Sequence, residues 1–286
     1  MKLFVTIYND ARLLGHFLRH YRQIGITQFY IATAPEFFSL IDMFRDRYNI
    51  TAYDNLVVDD SILAHNSAIS KMRRLHQDID EWVVIVDLDE FIEYGQNLYL
   101  MAEKADCAGA NVVRGLKPDR FSADGSLPDV WPDSDLETLC PIKSRFIKEV
   151  MHGCDYKGVL VKGDISPVPG QGHHRFIDEK IFPELMEISH FKWIAGAVDR
   201  LRKTHQRILE ANIHWAMEHR VVLDHYDAHG FFAWREFGGK QAADFKMPAP
   251  IACVDCGAAI SEAERDYSCA HYGKQLCRLD QKKYLV

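Results

Sequence analysis

Three scarcities narrow the reading of these 286 residues before any motif is considered. No apolar run approaches the ~18 residues that a membrane-spanning helix needs. Basic residues are not in excess. Lys and Arg number 34 against 41 Asp and Glu, a net charge of −7, which argues against broad electrostatic binding to nucleic acid or anionic lipid. An anionic substrate would therefore need local help, from a metal or an arginine cluster. Cysteine is sparse until the C-terminal end: Cys107, Cys140 and Cys154 stand far apart, as inert small core residues do. Internal repeats and low-complexity segments are absent too. Residues 1–7 are too short for a signal-peptide core, since Asn9 and Asp10 stop the apolar stretch. The expectation is a soluble, cytoplasmic protein, 48% hydrophobic, with one large domain and a small appendage.

What is present is an alternation of strand and helix signals. Leu3 to Ile7 reads as a first strand. Leu14, Phe17, Leu18, Tyr21 and Ile24 then share one helical face, ended by Gly25. Residues 28–31 give a second strand, 37–48 a helix, 50–53 a third strand and 61–79 another helix. Trp82 to Val86 is a continuous apolar strand, as expected in a sheet covered on both faces. The pattern predicts right-handed crossovers and a doubly wound, mainly parallel α/β sheet. Strands are expected at 112–115 and 158–161, long loops at 119–135 and 167–174, and one long helix over 194–217. Gly238-Gly239, Pro248 and Pro250 mark a linker over 238–250 between a main domain, 1–237, and a tail, 251–286.

The apolar strand runs straight into Asp87-Leu88-Asp89-Glu90. In open α/β sheets ligands sit outside the carboxyl ends of the strands. Two carboxylates on an extended turn there suit Mn²⁺ or Mg²⁺ held through oxygen. Such an ion could bridge two nucleotide phosphates and stabilise a departing diphosphate. Acidic residues after a strand can also merely solvate the turn or cap the next helix. The strand before the motif and Glu90-Phe91 after it favour the site.

Trp82 to Ile92, WVVIVDLDEFI, resembles the acidic segment of family 2-like glycosyltransferases of the GT-A fold. The likeness extends to Thr6-Ile7-Tyr8-Asn9-Asp10, to the helix reaching Tyr21 with Ile24-Gly25-Ile26, and to the late Ile188-Ser189-His190-Phe191-Lys192-Trp193. It implies a metal-dependent enzyme that moves a sugar from a nucleotide-diphosphate donor, a UDP-sugar in the first instance, to a hydroxyl of a glycan or other acceptor. By the same resemblance Asp87 and Asp89 hold Mn²⁺ or Mg²⁺ and the diphosphate, with His190 as a further ligand. Thr6, Asn9, Asp10 and Asn66 line the nucleotide pocket. Ala32 to Glu36 depart from the family's base-reading turn, which leaves Asp54 as a substitute. Asp89 and Glu90 are the catalytic candidates, and Glu90, Asp155 and Asp164 are all open as the base that deprotonates the acceptor.

Elsewhere, Gly170 to Arg175 reads equally as an active-site loop or a plain turn. Lys143, Arg145 and Lys148 read as an exposed strand face, and His205, His214, His219, His225 and His229 as surface or packed residues. The tail carries Cys253-x-x-Cys256-Gly257, half of a zinc knuckle. The stretch resembles a small zinc ribbon in which Cys277 and Asp280 complete a degenerate set, with Cys269 or His271 as alternative fourth ligands, or with the metal lost. Five basic and five acidic residues in 251–286 leave no basic patch, so the module is expected to pack or dock protein around a structural zinc ion. Two other functions stay open: a haloacid-dehalogenase-type phosphatase built on the same Asp-x-Asp, and a non-catalytic α/β scaffold.

Overall fold

The computed structural model describes residues 1–54, 62–169, 171–210 and 216–247, with the backbone of 251–252 and 259–260. Its centre is one mixed sheet. Strands β1 (Lys2–Ile7), β2 (Gln28–Thr33), β3 (Ile50–Tyr53) and β4 (Trp82–Ile85) are mutually parallel, in the order β4-β1-β2-β3. On the far side of β4 the sheet continues through β6 (Val112–Leu116), β7 (Asp119–Phe121), β8 (Ile142–Ser144), β9 (Tyr156–Lys162), β10 (Ile181–His190) and β11 (Lys240–Gln241). The order there is β9-β6-β10-β7-β8-β11. β9 runs antiparallel to both β4 and β6, while β6 and β10 are parallel. A short strand β5 (Glu90–Ile92) pairs antiparallel with the end of β10. The expected α/β class holds, with antiparallel β9 making the sheet mixed.

Alternation along the strands feeds both faces. Leu3, Val5 and Ile7 pack with Leu14, Phe17, Leu18 and Tyr21 of α1 (Leu14–Gln23). Phe4, Tyr30, Val83 and Ile85 turn the other way, onto Ala68, Ile69 and Met72 of α2 (Ile62–His76). Each fully buried Phe or Leu contributes about 1.5–3 kcal/mol. α1 ends where Gly25 takes φ +101° and Ile26 N–H bonds back to the Tyr21 carbonyl at 2.9 Å. The Tyr21 hydroxyl donates to the Glu90 carbonyl (2.9 Å) and accepts from Ile92 N–H (3.2 Å), so α1 is pinned to the acidic turn. After α3 (Leu98–Cys107), a third cluster forms a C-terminal lobe. There α4 (Ala197–Glu210) and α5 (Ala216–His229) close over Phe121, Phe146, Trp193 and Phe232.

Several expectations are corrected. The segment 37–48 forms two short helices, Phe38–Asp42 and Arg45–Tyr48. The helix expected over 194–217 begins only at Ala197, because Gly196 takes φ +75°, and Ala216–His229 is a second helix. The loop expected from residue 119 opens with a buried strand, β7, whose Asp119 and Arg120 are fully buried. Arg120 is held by the Cys140 carbonyl (2.8 Å), Ser189 Oγ (2.7 Å) and Glu137, and lies over the Phe191 ring. Lys143 is not on an exposed face: it is buried between Glu93 (2.8 Å) and Glu187 (2.7 Å). Within the segment read as a linker, β11 pairs with β8. Backbone strands β12 (Ile251–Ala252) and β13 (Ala259–Ile260) pair antiparallel. Cys253, Cys256, Cys269, His271, Cys277 and Asp280, the zinc candidates, lie outside the described residues, as does His214.

Candidate functional site

The topology carries the chemistry to one edge. β1, β4, β6 and β10 end there, and antiparallel β9 begins there. That edge therefore gathers Asp10, Asp87, Asp89, Lys117, Asp119, Lys157 and His190. β4 is fully buried, whereas the Asp87 side chain is 57% exposed and that of Asp89 33%. Antiparallel pairing sets His190 opposite Glu90, and Phe191 N–H donates to the Asp89 carbonyl at 2.8 Å.

The acidic residues divide into two groups. Glu90 is 0% exposed and belongs to a buried ion cluster. Its Oε2 accepts from Lys157 Nζ and from Asp87 N–H, both at 2.8 Å, and Lys117 Nζ stands 3.2 Å from Oε1. Burial works to raise the Glu90 carboxyl, but Lys157 and Lys117 hold it well below the ordinary range. A carboxylate so shielded and so strongly paired is not a base for an incoming hydroxyl; it shapes the turn. Asp87 Oδ2 also meets Lys157, at 2.6 Å.

Asp89 instead faces His190, with Oδ2 and Nε2 3.5 Å apart. The other imidazole nitrogen, Nδ1, is 2.9 Å from Asp119 Oδ1. Asp119 is fully buried and further held by Trp193 Nε1 and Ile147 N–H, each at 3.0 Å. Burial works to raise the Asp89 carboxyl, yet His190 brings it down to about 2. Burial likewise pushes the His190 ring down, but Asp89 and the Asp119 hydrogen bond prevail and raise it.

Asp87, Asp89 and His190 thus do not stand as one ligand set, and among the described residues no three His, Cys, Asp or Glu side chains converge as a metal site. The Asp89–His190 pair does fit a divalent cation. Ligand atoms bound to one ion at about 2.1 Å lie roughly 3 Å apart. A ligating histidine normally has its second nitrogen fixed by a carboxylate, and Asp119 does that here.

The remaining candidates sit in three places. Thr6 Oγ1 is 2.6 Å from His65 Nδ1, and neighbouring Asn66 is buried; Tyr8 stacks edge-on against His65. Asp54 is exposed beyond β3, two strands from β1. Asn9 and Asp10 line a separate cleft, where the Asp10 carboxylate is taken by Arg12 and Arg200. Of the open base candidates, Asp155 is buried on Arg145 (2.7 Å), and Asp164 follows β9 at the opposite edge of the sheet. His173 is buried, and His174 Nδ1 bonds the Tyr156 carbonyl. Sequence reasoning missed Asp119, Lys117, Lys157, His65, Arg12 and Arg200. For Lys117 a signal existed: it directly follows β6, as the acidic turn follows β4.

No protein-family profile matches the chain, and no curated protein sequence does. Among solved structures the chain is similar to HddC from Yersinia pseudotuberculosis, with 9% identity over 45% of this chain and 64% of that one, TM-score 0.30. It is similar to a 4-diphosphocytidyl-2C-methyl-D-erythritol synthase, with 9% identity over 46% and 64%, TM-score 0.31. It is also similar to UDP-glucose pyrophosphorylase complexed with UDP-glucose, with 12% identity over 62% and 74%, TM-score 0.28. The chain spans 64% of the length of the first two, under two thirds. Likeness at this level says nothing about activity.

Proposed function

We propose that the protein is a metal-dependent glycosyltransferase that moves a sugar from a nucleotide-diphosphate donor, a UDP-sugar in the first instance, to an acceptor hydroxyl. The observation that carries this reading is the Asp89–His190 pair, 3.5 Å apart and braced by buried Asp119, at the carboxyl edge of parallel strands. Mn²⁺ or Mg²⁺ held by Asp89 and His190 would supply Lewis acidity toward the departing diphosphate. Lys117 and Lys157 neutralise Glu90 and Asp87 from beneath, so the charge left to face an ion is that of Asp89. Thr6, His65 and Asn66 form the wall against which the nucleoside rests, with Tyr8 as an aromatic surface. Glu90 fixes the turn that presents Asp89.

The test is calorimetric titration of UDP, GDP and CMP, with and without Mn²⁺. One nucleoside diphosphate is expected to bind in the presence of Mn²⁺ and at least about tenfold more weakly without it. Metal needs the neutral imidazole, and Asp89 and Asp119 raise the His190 pKa. Binding therefore tightens as pH rises through that pKa and releases a proton. Phosphate release from a phosphoester, without metal-dependent nucleotide binding, would favour the phosphatase reading instead.

A further inference from the structure

The cleft lined by Asn9 and Asp10, about 510 Å³ in volume, opens between the loop after β1, the turn and short helix after β2 and the first turns of α4. Its two walls differ in chemistry. Phe37 and Leu40 give an apolar side; Arg12, Arg200 and Lys203 give a cationic one. Asp10 organises the cationic side without neutralising it. Arg12 donates from Nε (3.0 Å) and Nη2 (2.6 Å), and Arg200 from Nη1 (2.5 Å), to the same carboxylate. Two guanidinium groups thus share one negative charge. Among the described residues no protein group accepts from Arg12 Nη1 or Arg200 Nη2, and Lys203, one turn on and exposed, has no carboxylate partner. Asp199, the other acid there, is 76% exposed and turned to Arg202.

The cradle is built into the backbone. Gly196 sits beneath both guanidinium groups, and a Cβ there would lie 2.9 Å from Arg12 Nη2 and 3.4 Å from Arg200 Nη1. In a chain of net charge −7, this holds spare, fixed donors beside an apolar face. Planar forks of that kind suit phosphate or carboxylate oxygens. The cleft is also close to the metal pair: α4 follows His190 by seven residues of chain, and the Asp89 charge acts on Arg200.

We propose that this cleft binds the anionic group of the acceptor, a saccharide carrying a phosphate or a carboxylate, with Arg12, Arg200 and Lys203 on the anion and Phe37 and Leu40 against the sugar. As an acceptor subsite it rests on the transferase reading; the anion binding itself does not. Calorimetry with glucose-6-phosphate, glucuronate, inorganic phosphate and glucose tests it without turnover. The sugar phosphate or the glucuronate is expected to bind well above neutral glucose, and the order of the two names the charged group. Arg200→Gln is expected to weaken that binding at least about tenfold. Lys203→Glu, at an exposed position that leaves folding untouched, should weaken it severalfold. Asp89→Asn, which removes a negative charge acting on Arg200, should not weaken it, even if nucleotide binding is lost.

Three results would overturn the proposal. One is equal binding of charged and neutral sugars. Another is binding insensitive to both cleft variants, or lost in Asp89→Asn, which would put the anion at the metal pair. The third is inorganic phosphate binding as tightly as the sugar phosphate, which would remove the saccharide. Failure of the transferase reading would appear separately, as anion binding in a protein that binds no nucleotide.

Discussion

Asp89→Asn is expected to lower sugar transfer at least about a hundredfold while leaving the fold intact, whereas Glu90→Gln, one residue away, is expected first to lower stability. The contrast follows from what each carboxylate touches. Asp89 is one-third exposed, with His190 Nε2 3.5 Å from its carboxylate; the amide keeps its volume and loses the charge an ion would need. Glu90 is fully buried with Lys117 and Lys157 upon it. Removing its charge leaves two buried ammonium groups short of a counter-ion, which costs about 3–5 kcal/mol. Asp87 still stands against Lys157, so the loss falls toward the lower figure. Melting curves and initial rates on the two variants check the pair. A folded, fully active Asp89→Asn would remove the acidic motif from the chemistry.

The second large effect is acid sensitivity carried by buried histidines. Burial pushes His20 down to about 4, where its Nε2 bonds the Ile92 carbonyl at 2.7 Å. His174 falls to about 3 through burial and then Lys117 and Lys157, and His219 to about 3 through burial, Lys192 and His205. Each stays neutral in the folded protein while the unfolded chain takes up a proton below about 6.5. Stability is therefore present above that value and lost as pH falls toward the folded values. At about pH 5 each such histidine costs roughly 2 kcal/mol, and three cost roughly 6. That is comparable with the whole stability of many domains, about 5–15 kcal/mol.

His190, raised by Asp89, works in the opposite direction and offsets part of the loss. Asp89 and Glu90, held low, are not yet protonated at that pH. The melting temperature should drop by on the order of 10–20 °C between about pH 7 and about pH 5. His20→Gln, which keeps a donor for the Ile92 carbonyl, should flatten that slope by about one proton. A melting temperature constant over the interval would contradict the buried-neutral assignment.

The parallel half of the fold is written in local pattern. Residues 50–53 form the strand expected there, and the apolar run ending at Asp87 is β4. Each pairs in parallel with a preceding strand, β3 with β2 and β4 with β1, and β4 is buried along its whole length, so its apolar continuity signals it directly. β10 escaped because Pro183, Glu184 and Glu187 interrupt its alternation; the register shifts between Phe182 and Met186, where the proline sits. β7 escaped because charge reads as surface, whereas Asp119 and Arg120 are buried by partners distant in sequence. The candidate site was half legible for the same reason. Asp87 and Asp89 announce themselves after a strand, and His190 came from a family resemblance. The brace from Asp119 and the lysines under Glu90 arise from strand pairing, which no local spacing encodes.

The most direct test of the metal pair is the electron paramagnetic resonance signal of Mn²⁺ titrated into the protein with UDP present, for the wild type and for Asp89→Asn and His190→Ala. Loss of the free Mn²⁺ signal in the wild type, with the affinity at least about tenfold weaker in each variant, is the result expected here. Equal Mn²⁺ binding by all three proteins would contradict it.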